Sequence, residues 1–327
     1  MTAVVRRARL AAALADGRYH NAEALQQSLG VGRRQLWALL RSLTDLGLAF
    51  ESSPGRGYRL ESPLELLDRD RILAAIVPEA RRQAHALEIL AEVDSTNRHL
   101  LDKPGGAGAG QVCLAEHQSA GRGRHGRHWA SPYGANLYLS LGWRFAWPQA
   151  GLSALGVACA VAVARALTDA GVADIGLKWP NDVLFGGRKL GGILLESMEA
   201  NGRARRGVMG VGLNVRMPAA AAEQVDQPWT DVETALGRAV SRNALAGAVI
   251  GRLLLALGEF EAAGPGPFVE QWRRYDIMPG KNAVLRWTNG QVCGVVEGIN
   301  PAGELALSIG GEIRHYAYGE VSLRPES

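Results

Sequence analysis

The stretch Gln118-Ser119-Ala120-Gly121-Arg122-Gly123-Arg124-His125-Gly126-Arg127-His128-Trp129 fits neither the helical nor the extended repeat, because its glycines and arginines alternate without an apolar face. It reads as a loop. Glycine permits positive φ and close approach of the backbone to a ligand, and the arginine fork matches carboxylate and phosphate oxygens. The guest it suits is a small anion. A flexible arginine-glycine linker would repeat at low complexity, whereas this pattern occurs once and runs straight into Trp129 and a strand-like segment.

Working outward, no acid occurs from His117 to Thr168, so a site assembled from that region is expected to be electropositive. Residues 135–143 alternate, with Leu137, Leu139, Leu141 and Trp143 on one face and Asn136, Tyr138 and Ser140 on the other, which predicts a half-buried strand. The uncharged run 145–164 reads as part of a buried helix over 151–170, closed by Gly171, and not as a membrane span. A strand over 175–179 stops at the turn Pro180-Asn181-Asp182. Two glycine-rich strands follow over 189–196 and 207–215, then a long helix over 242–260. Upstream, a strand ends at Glu92-Val93-Asp94, and Ser95, Thr96 and Asn97 either cap the next helix or offer hydrogen bonds to a neutral polar ligand. The glycine-rich segment 104–110 precedes a strand over 111–116 and follows none, so it is not a dinucleotide fingerprint. Towards the end, residues 282–324 are short strands separated by Asn289-Gly290, Pro301-Ala302-Gly303 and Gly310-Gly311, the pattern of a small β-barrel or sandwich.

The N-terminal residues have a different character. Helices are expected over 4–14 and 22–29, the second capped by Asn21 and ended by Gly30. In the third, Leu36, Leu39, Leu40 and Leu43 share one face, while Arg33, Arg34, Gln35, Trp37, Ala38 and Arg41 surround it. A hairpin over 50–60 with its tip at Pro54-Gly55-Arg56-Gly57 makes a wing carrying Arg56. Ser62-Pro63 and a helix over 65–76 form the linker. The whole chain of 327 residues has a net charge of +4, and residues 1–62, with nine arginines against five acids, hold all of it. That localisation favours a nucleic-acid-binding helix-turn-helix over a small protein-interaction module. Cys113, Cys159 and Cys293 are few, odd in number and without metal-ligand spacing, which predicts buried, reduced thiols in a cytoplasmic protein.

Four segments stand out together: Ser95-Thr96-Asn97, residues 118–129, Lys178-Trp179-Pro180-Asn181-Asp182 and Arg188-Lys189-Leu190-Gly191-Gly192-Ile193. In order and separation they resemble the biotin protein ligases, and with the N-terminal unit the whole chain is similar to the bifunctional form that also acts as biotin operon repressor. The resemblance implies an α+β architecture: a winged helix-turn-helix (1–63), a mixed α/β ligase domain of the biotin/lipoate type (64–275) and a small SH3-like β-barrel (276–327).

It also implies ATP-dependent activation of biotin to biotinyl-5′-adenylate and transfer to a lysine of biotin carboxyl carrier protein. Ser95, Thr96, Asn97 and Gln118 match biotin-recognising positions, joined by Arg122, Gly123, Arg124 and Lys189 at the carboxylate. Arg124 and Lys189 are the catalytic cations. With Trp129 and Asn214 they also form the nucleotide side, and Asp182 is the candidate Mg2+ ligand. Arg33, Arg34, Gln35, Arg41 and Arg56 are the candidate contacts to operator DNA, with a ligand-linked homodimer and no membrane partner. Three alternatives stay open: a ligase without repressor activity, a biotin-sensing transcription factor without transfer activity, and a lipoate or octanoate ligase.

Overall fold

In the computed structural model the described residues are all except 1, 104–107, 146–150, 201–203, 224, 288–289, 318–321 and 326–327. Residues 146–150 of the uncharged run, most of the glycine-rich segment 104–110 and Asn289 of the expected turn therefore lie outside them.

Three helices, α1 (Ala3–Leu14), α2 (Ala22–Leu29) and α3 (Arg33–Thr44), precede a hairpin of β1 (Phe50–Ser53) and β2 (Gly57–Leu60). Asn21 caps α2 by accepting the N–H groups of Glu23 and Ala24 at 2.8 and 3.4 Å, and Gly30 closes it in the left-handed region at φ 62°. The third helix has no hydroxyl cap at Gly32. Instead Gln35 reaches back and accepts the Gly32 N–H at 3.3 Å. Leu36, Leu40 and Leu43 bury against Leu10, Leu14, Leu25, Leu29 and Leu60, each worth about 1.5–3 kcal/mol. Trp37 packs edge-on against Phe50 at 6.1 Å while remaining 47% exposed, so it belongs to the helix-hairpin junction.

The linker helix expected over 65–76 is shorter, α4 (Arg69–Ala75), followed by α5 (Pro78–Arg81). Asp68 caps it by accepting the Arg71 N–H at 2.8 Å. Residues 65–68 cannot join the helix because their backbone groups are engaged elsewhere. Arg242 donates to the Glu65 carbonyl at 2.7 Å, Asn243 takes Leu66 and Asp68, and Glu116 accepts the Leu67 N–H.

The central elements are β3 (Ala86–Val93), α6 (Thr96–Leu101), β4 (Gln111–Gln118), β5 (Leu137–Phe145), α7 (Leu152–Asp169), β6 (Ile175–Lys178), β7 (Asp182–Phe185), β8 (Arg188–Ala200) and β9 (Ala204–Leu213). After them come α8 (Ala219–Ala222), α9 (Val232–Leu236), α10 (Arg242–Ala263) and α11 (Gly266–Tyr275). The seven strands order as β3-β4-β5-β9-β8-β7-β6, with β3 and β4 parallel and every other pair antiparallel. Helices α7 and α10 pack together over one side, and α6 packs on β4, β5 and β9. β5 is therefore buried on both faces and not half-buried as its alternation suggests: Leu139 is 1% exposed, and Asn136 and Ser140 are 0%.

Strands β10 (Asn282–Trp287), β11 (Gly290–Ile299), β12 (Leu305–Ile309), β13 (Glu312–Tyr316) and β14 (Ser322–Pro325) form a five-stranded antiparallel sheet in the order β13-β12-β11-β10-β14. Its inward residues Ala283, Leu285, Val296 and Leu307 join the same apolar cluster as the central sheet. The turn before β12 is fixed from both sides: Trp179 Nε1 donates to the Gly303 carbonyl at 3.1 Å, and a Cβ on Gly303 would stand 2.7 Å from the Ala154 backbone. Cys113 and Cys159 are buried, and burial pushes both thiols up to about 12. Cys293 is exposed, which corrects the expectation that all the thiols are buried; it lies on β11 away from the core.

Candidate active site

The three polar residues at the start of α6 are buried, with Ser95 and Thr96 4% and Asn97 3% exposed. Ser95 occupies the capping position, but its hydroxyl makes no capping bond. Thr96 donates its N–H to Gln118 Oε1 at 2.9 Å, and its hydroxyl stands 3.1 Å from the same oxygen. Ser140, from β5, sits between Thr96 Oγ1 at 2.7 Å and Asn97 Oδ1 at 2.5 Å. Gln118 Nε2 then donates to Ser131 Oγ at 3.3 Å. One hydrogen-bonded corner thus joins α6, β4 and β5, a surface suited to a neutral group with both donors and acceptors. Ser140 escaped the sequence reading. Its signal was a hydroxyl on the polar face of an alternating strand, which looks like an ordinary solvent-facing residue.

The arginine loop leaves the sheet just after Gln118. Its two arms meet as an antiparallel bridge between Arg122 and His128, and the Gly123 N–H returns to the Arg127 carbonyl at 2.7 Å. Two of the loop's three glycines, Gly121 and Gly126, are required by their surroundings or backbone. Gly126 has φ 71°, and a Cβ on Gly121 would stand 2.6 Å from the Trp129 carbonyl, so that close approach is to the protein's own chain. Gly123 meets neither condition, and His125 itself takes φ 55°. Arg122 pairs with Glu196 at 3.2 Å. Arg124 is partly buried within the 3-10 turn Arg124–Gly126.

Opposite the loop lies a cation cluster. Lys189 Nζ is 2.7 Å from Asp182 Oδ1, and Lys178 Nζ is 3.2 Å from Asp182 Oδ2. Burial raises the Asp182 carboxyl, but Lys189 and then Lys178 outweigh it, so the group is held below the ordinary carboxylate value and stays charged. Lys189 also lies 5.5 Å from the ring centre of Trp129. That ring rests on β9, where a Cβ on Gly212 would stand 2.5 Å from it, just as one on Gly210 would stand 2.4 Å from Asn97 Oδ1. Gly210 and Gly212 of β9 therefore leave the space that Asn97 and Trp129 fill. Asn214 is committed to the backbone, its amide donating to the carbonyls of Lys189 at 3.4 Å and Thr230 at 3.1 Å. It holds the start of β8, which is the strand-capping alternative to nucleotide contact.

The structure brings Ser95, Thr96, Asn97, Gln118, Arg122 and Trp129 to one face of the sheet with Lys189 and Asp182. It also brings two acids, Asp182 and Glu196, into a region whose own sequence has none. Among the described residues no group of three or more His, Cys, Asp or Glu could hold a metal ion. A single carboxylate meets the minimum for Mg2+, which keeps water and borrows phosphate oxygens, and Asp182 fits that role with its two lysines as competitors. Away from this site, Arg33, Arg34, Gln35 and Arg41 are exposed on α3, and Arg56 stacks over Tyr19 at 4.0 Å.

With this geometry in place, the comparisons with known proteins converge. Residues 90–214 match the Biotin/lipoate A/B protein ligase family. The biotin protein ligase of Aquifex aeolicus in complex with biotin and ATP superposes with a TM-score of 0.63 at 26% identity, covering 74% of this chain and 100% of that one. The chain belongs to the biotin protein ligase family. Within it, the bifunctional ligase/repressor BirA of Salmonella typhimurium is 37% identical over 95% of this chain and 95% of its own length. The biotin–[acetyl-CoA-carboxylase] ligase of Mycobacterium tuberculosis is 36% identical over 80% of this chain and 97% of its own length.

Proposed function

We propose that the protein is a ligase that joins biotin to ATP, forming biotinyl-5′-adenylate and diphosphate, and then transfers biotin to a lysine of a biotin carboxyl carrier protein with release of AMP. The observation that carries this reading is Lys189 held between Asp182 and the Trp129 ring, facing the arginine loop: cations and an aromatic plate stand together beside a neutral polar corner.

Attack of a carboxylate on an α-phosphate brings two anions together. Each favourable unit-charge contact at about 4 Å offsets about 4 kcal/mol at an effective dielectric near 20. Arg122, Arg124 and Lys189 supply those contacts, with the Gly123 backbone between them. Ser95, Thr96, Asn97 and Gln118 receive the ureido ring. Trp129 faces the nucleotide, and Asn214 acts by holding Lys189 in place. Magnesium, when bound on the phosphates with Asp182, supplies further neutralisation of their charge. A closed loop keeps water from the mixed anhydride until the acceptor lysine arrives. The α1–α3 helices and hairpin read as a winged helix-turn-helix on operator DNA, and the C-terminal sheet as an SH3-like barrel. A ligand-linked homodimer completes the repressor half, and the reading places the protein in the cytoplasm with its acceptor. The arginine loop with Lys178–Asp182 favours biotin over lipoate.

Diphosphate exchange into ATP tests the first half-reaction. The reading expects exchange dependent on biotin, and exchange with lipoate in preference to biotin would overturn it.

A further inference from the structure

Glu196 has no place in the chemistry above, yet two of the site's side chains converge on it. It lies on β8, next to Leu195 and facing α6 and the loop. Its Oε2 accepts from Asn97 Nδ2 at 2.8 Å, and its Oε1 is 3.2 Å from the Arg122 guanidinium. Asn97 is not free to yield. Its amide also donates to the Leu194 carbonyl at 3.3 Å, its Oδ1 accepts from Ser140, and it is seated on the bare backbone of Gly210. Glu196 Oε2 also accepts from Arg122 at 3.3 Å, so one carboxylate joins a fixed donor on α6 to the loop. Arg122 is where the loop's two arms pair, so this contact grips its base.

The contact also closes a chain of hydrogen bonds. From Glu196 it runs through Asn97, Ser140 and Thr96, and by the Thr96 N–H through Gln118 to Ser131, on the far side of the loop. We propose that Glu196 is a positioning residue that latches the arginine loop to the polar corner through Arg122, so that loop order and recognition of the neutral ring rise and fall together. Glu196 stands to Arg122 as Asp182 stands to Lys189. Arg122 and Lys189 are each held in the ligand-free protein by one carboxylate brought from outside the acid-free stretch. The inference rests on the ligand-loop reading for its purpose, but the latch itself is a property of the protein without ligand.

Limited trypsin digestion of the full chain, with no ligand and the cut sites mapped by mass, tests it. Glu196→Gln retains an acceptor for Asn97 and removes the charge opposite Arg122. For a partly exposed ion pair, cleavage after Arg124 and Arg127 is expected to rise about threefold, with Tm unchanged. Arg122→Gln is expected to give the same increase at those two sites, and the double variant no more than either single one. Unchanged cleavage in Glu196→Gln, additive effects in the double variant, or faster cutting throughout the chain with a lowered Tm would each overturn the latch. Biotin with ATP added to the unaltered protein is a separate arm. Failure to protect the loop there would contradict the ligand reading and leave the ligand-free comparison standing on its own.

Discussion

Gly210 and Gly212 are glycine because Asn97 and the Trp129 ring lie where their Cβ atoms would be, at 2.4 and 2.5 Å. Alanine at either position forces overpacking worth about 1–3 kcal/mol, and the two sites should fail differently. Gly210→Ala displaces the polar corner and is expected to raise the KM for biotin about tenfold with little change for ATP. Gly212→Ala displaces Trp129 and is expected to do the reverse. Steady-state exchange kinetics check both, and equal shifts in the two KM values for either variant would contradict the division of the site. The high glycine content of this strand was legible in the sequence, but its cause was not. That cause depends on the register of β9 against residues about 80 to 115 positions away, which no local pattern encodes. The arginine loop, by contrast, was legible because glycine and arginine exclude the regular alternatives at short range.

At the scale of elements, the shortened α4 shows where local propensity yields to tertiary bonds. The linker before it is held by a fully buried pair, Arg242 Nη1 to Glu116 Oε2 at 2.9 Å, with both residues 4% exposed. Arg242→Met removes the cation opposite the buried Glu116 carboxyl and is expected to cost about 3–5 kcal/mol in urea unfolding. Adding Glu116→Gln to that variant should recover part of the loss. If the double variant is less stable than Arg242→Met, the pair is not the source of the cost. His117 follows Glu116 on β4, its Nδ1–H donating to the Ser131 carbonyl at 2.6 Å. Burial is the largest influence on it and holds the imidazole below its ordinary value, against the smaller upward pull of that bond and of Glu92. Between the lowered folded value and the unfolded one near 6.5, the unfolded chain binds the extra proton. The His117 contribution to stability is therefore fully present above about pH 6.5 and lost as pH falls. Tm measured from pH 7.5 to 5 should drop less steeply in His117→Gln than in the unaltered protein, and parallel curves would remove His117 from the account.

Across the whole molecule, the N-terminal elements and the site are joined at several points. Tyr133, four residues beyond Trp129, buries in the core of α1–α3, and its N–H donates to the Leu46 carbonyl at 2.9 Å. Arg7 of α1 pairs with Glu92 at the end of β3, through Nε at 2.7 Å and through a second guanidinium contact. Composition made the basic N-terminal unit legible. These junctions were not, since Tyr133 and Arg7 look like ordinary strand and helix residues until the two parts meet. For the DNA-binding half of the reading, replacing Arg33, Arg34 and Arg41 by alanine is expected to abolish the shift of a DNA fragment from the protein's own upstream region. It should also flatten the salt dependence of any residual binding. An unaltered gel shift would remove α3 from the interface.

The central claim is transfer of biotin by way of an adenylate gripped by the loop and Lys189. Incubation of the protein with biotin, ATP and a biotin carboxyl carrier domain, followed by intact-mass measurement of that domain, tests it most directly. The account predicts a carrier heavier by one biotinyl group on its acceptor lysine, with Lys189→Ala reducing the rate by about 100-fold or more. A carrier left unmodified by the unaltered protein, or one modified only when lipoate replaces biotin, would contradict it.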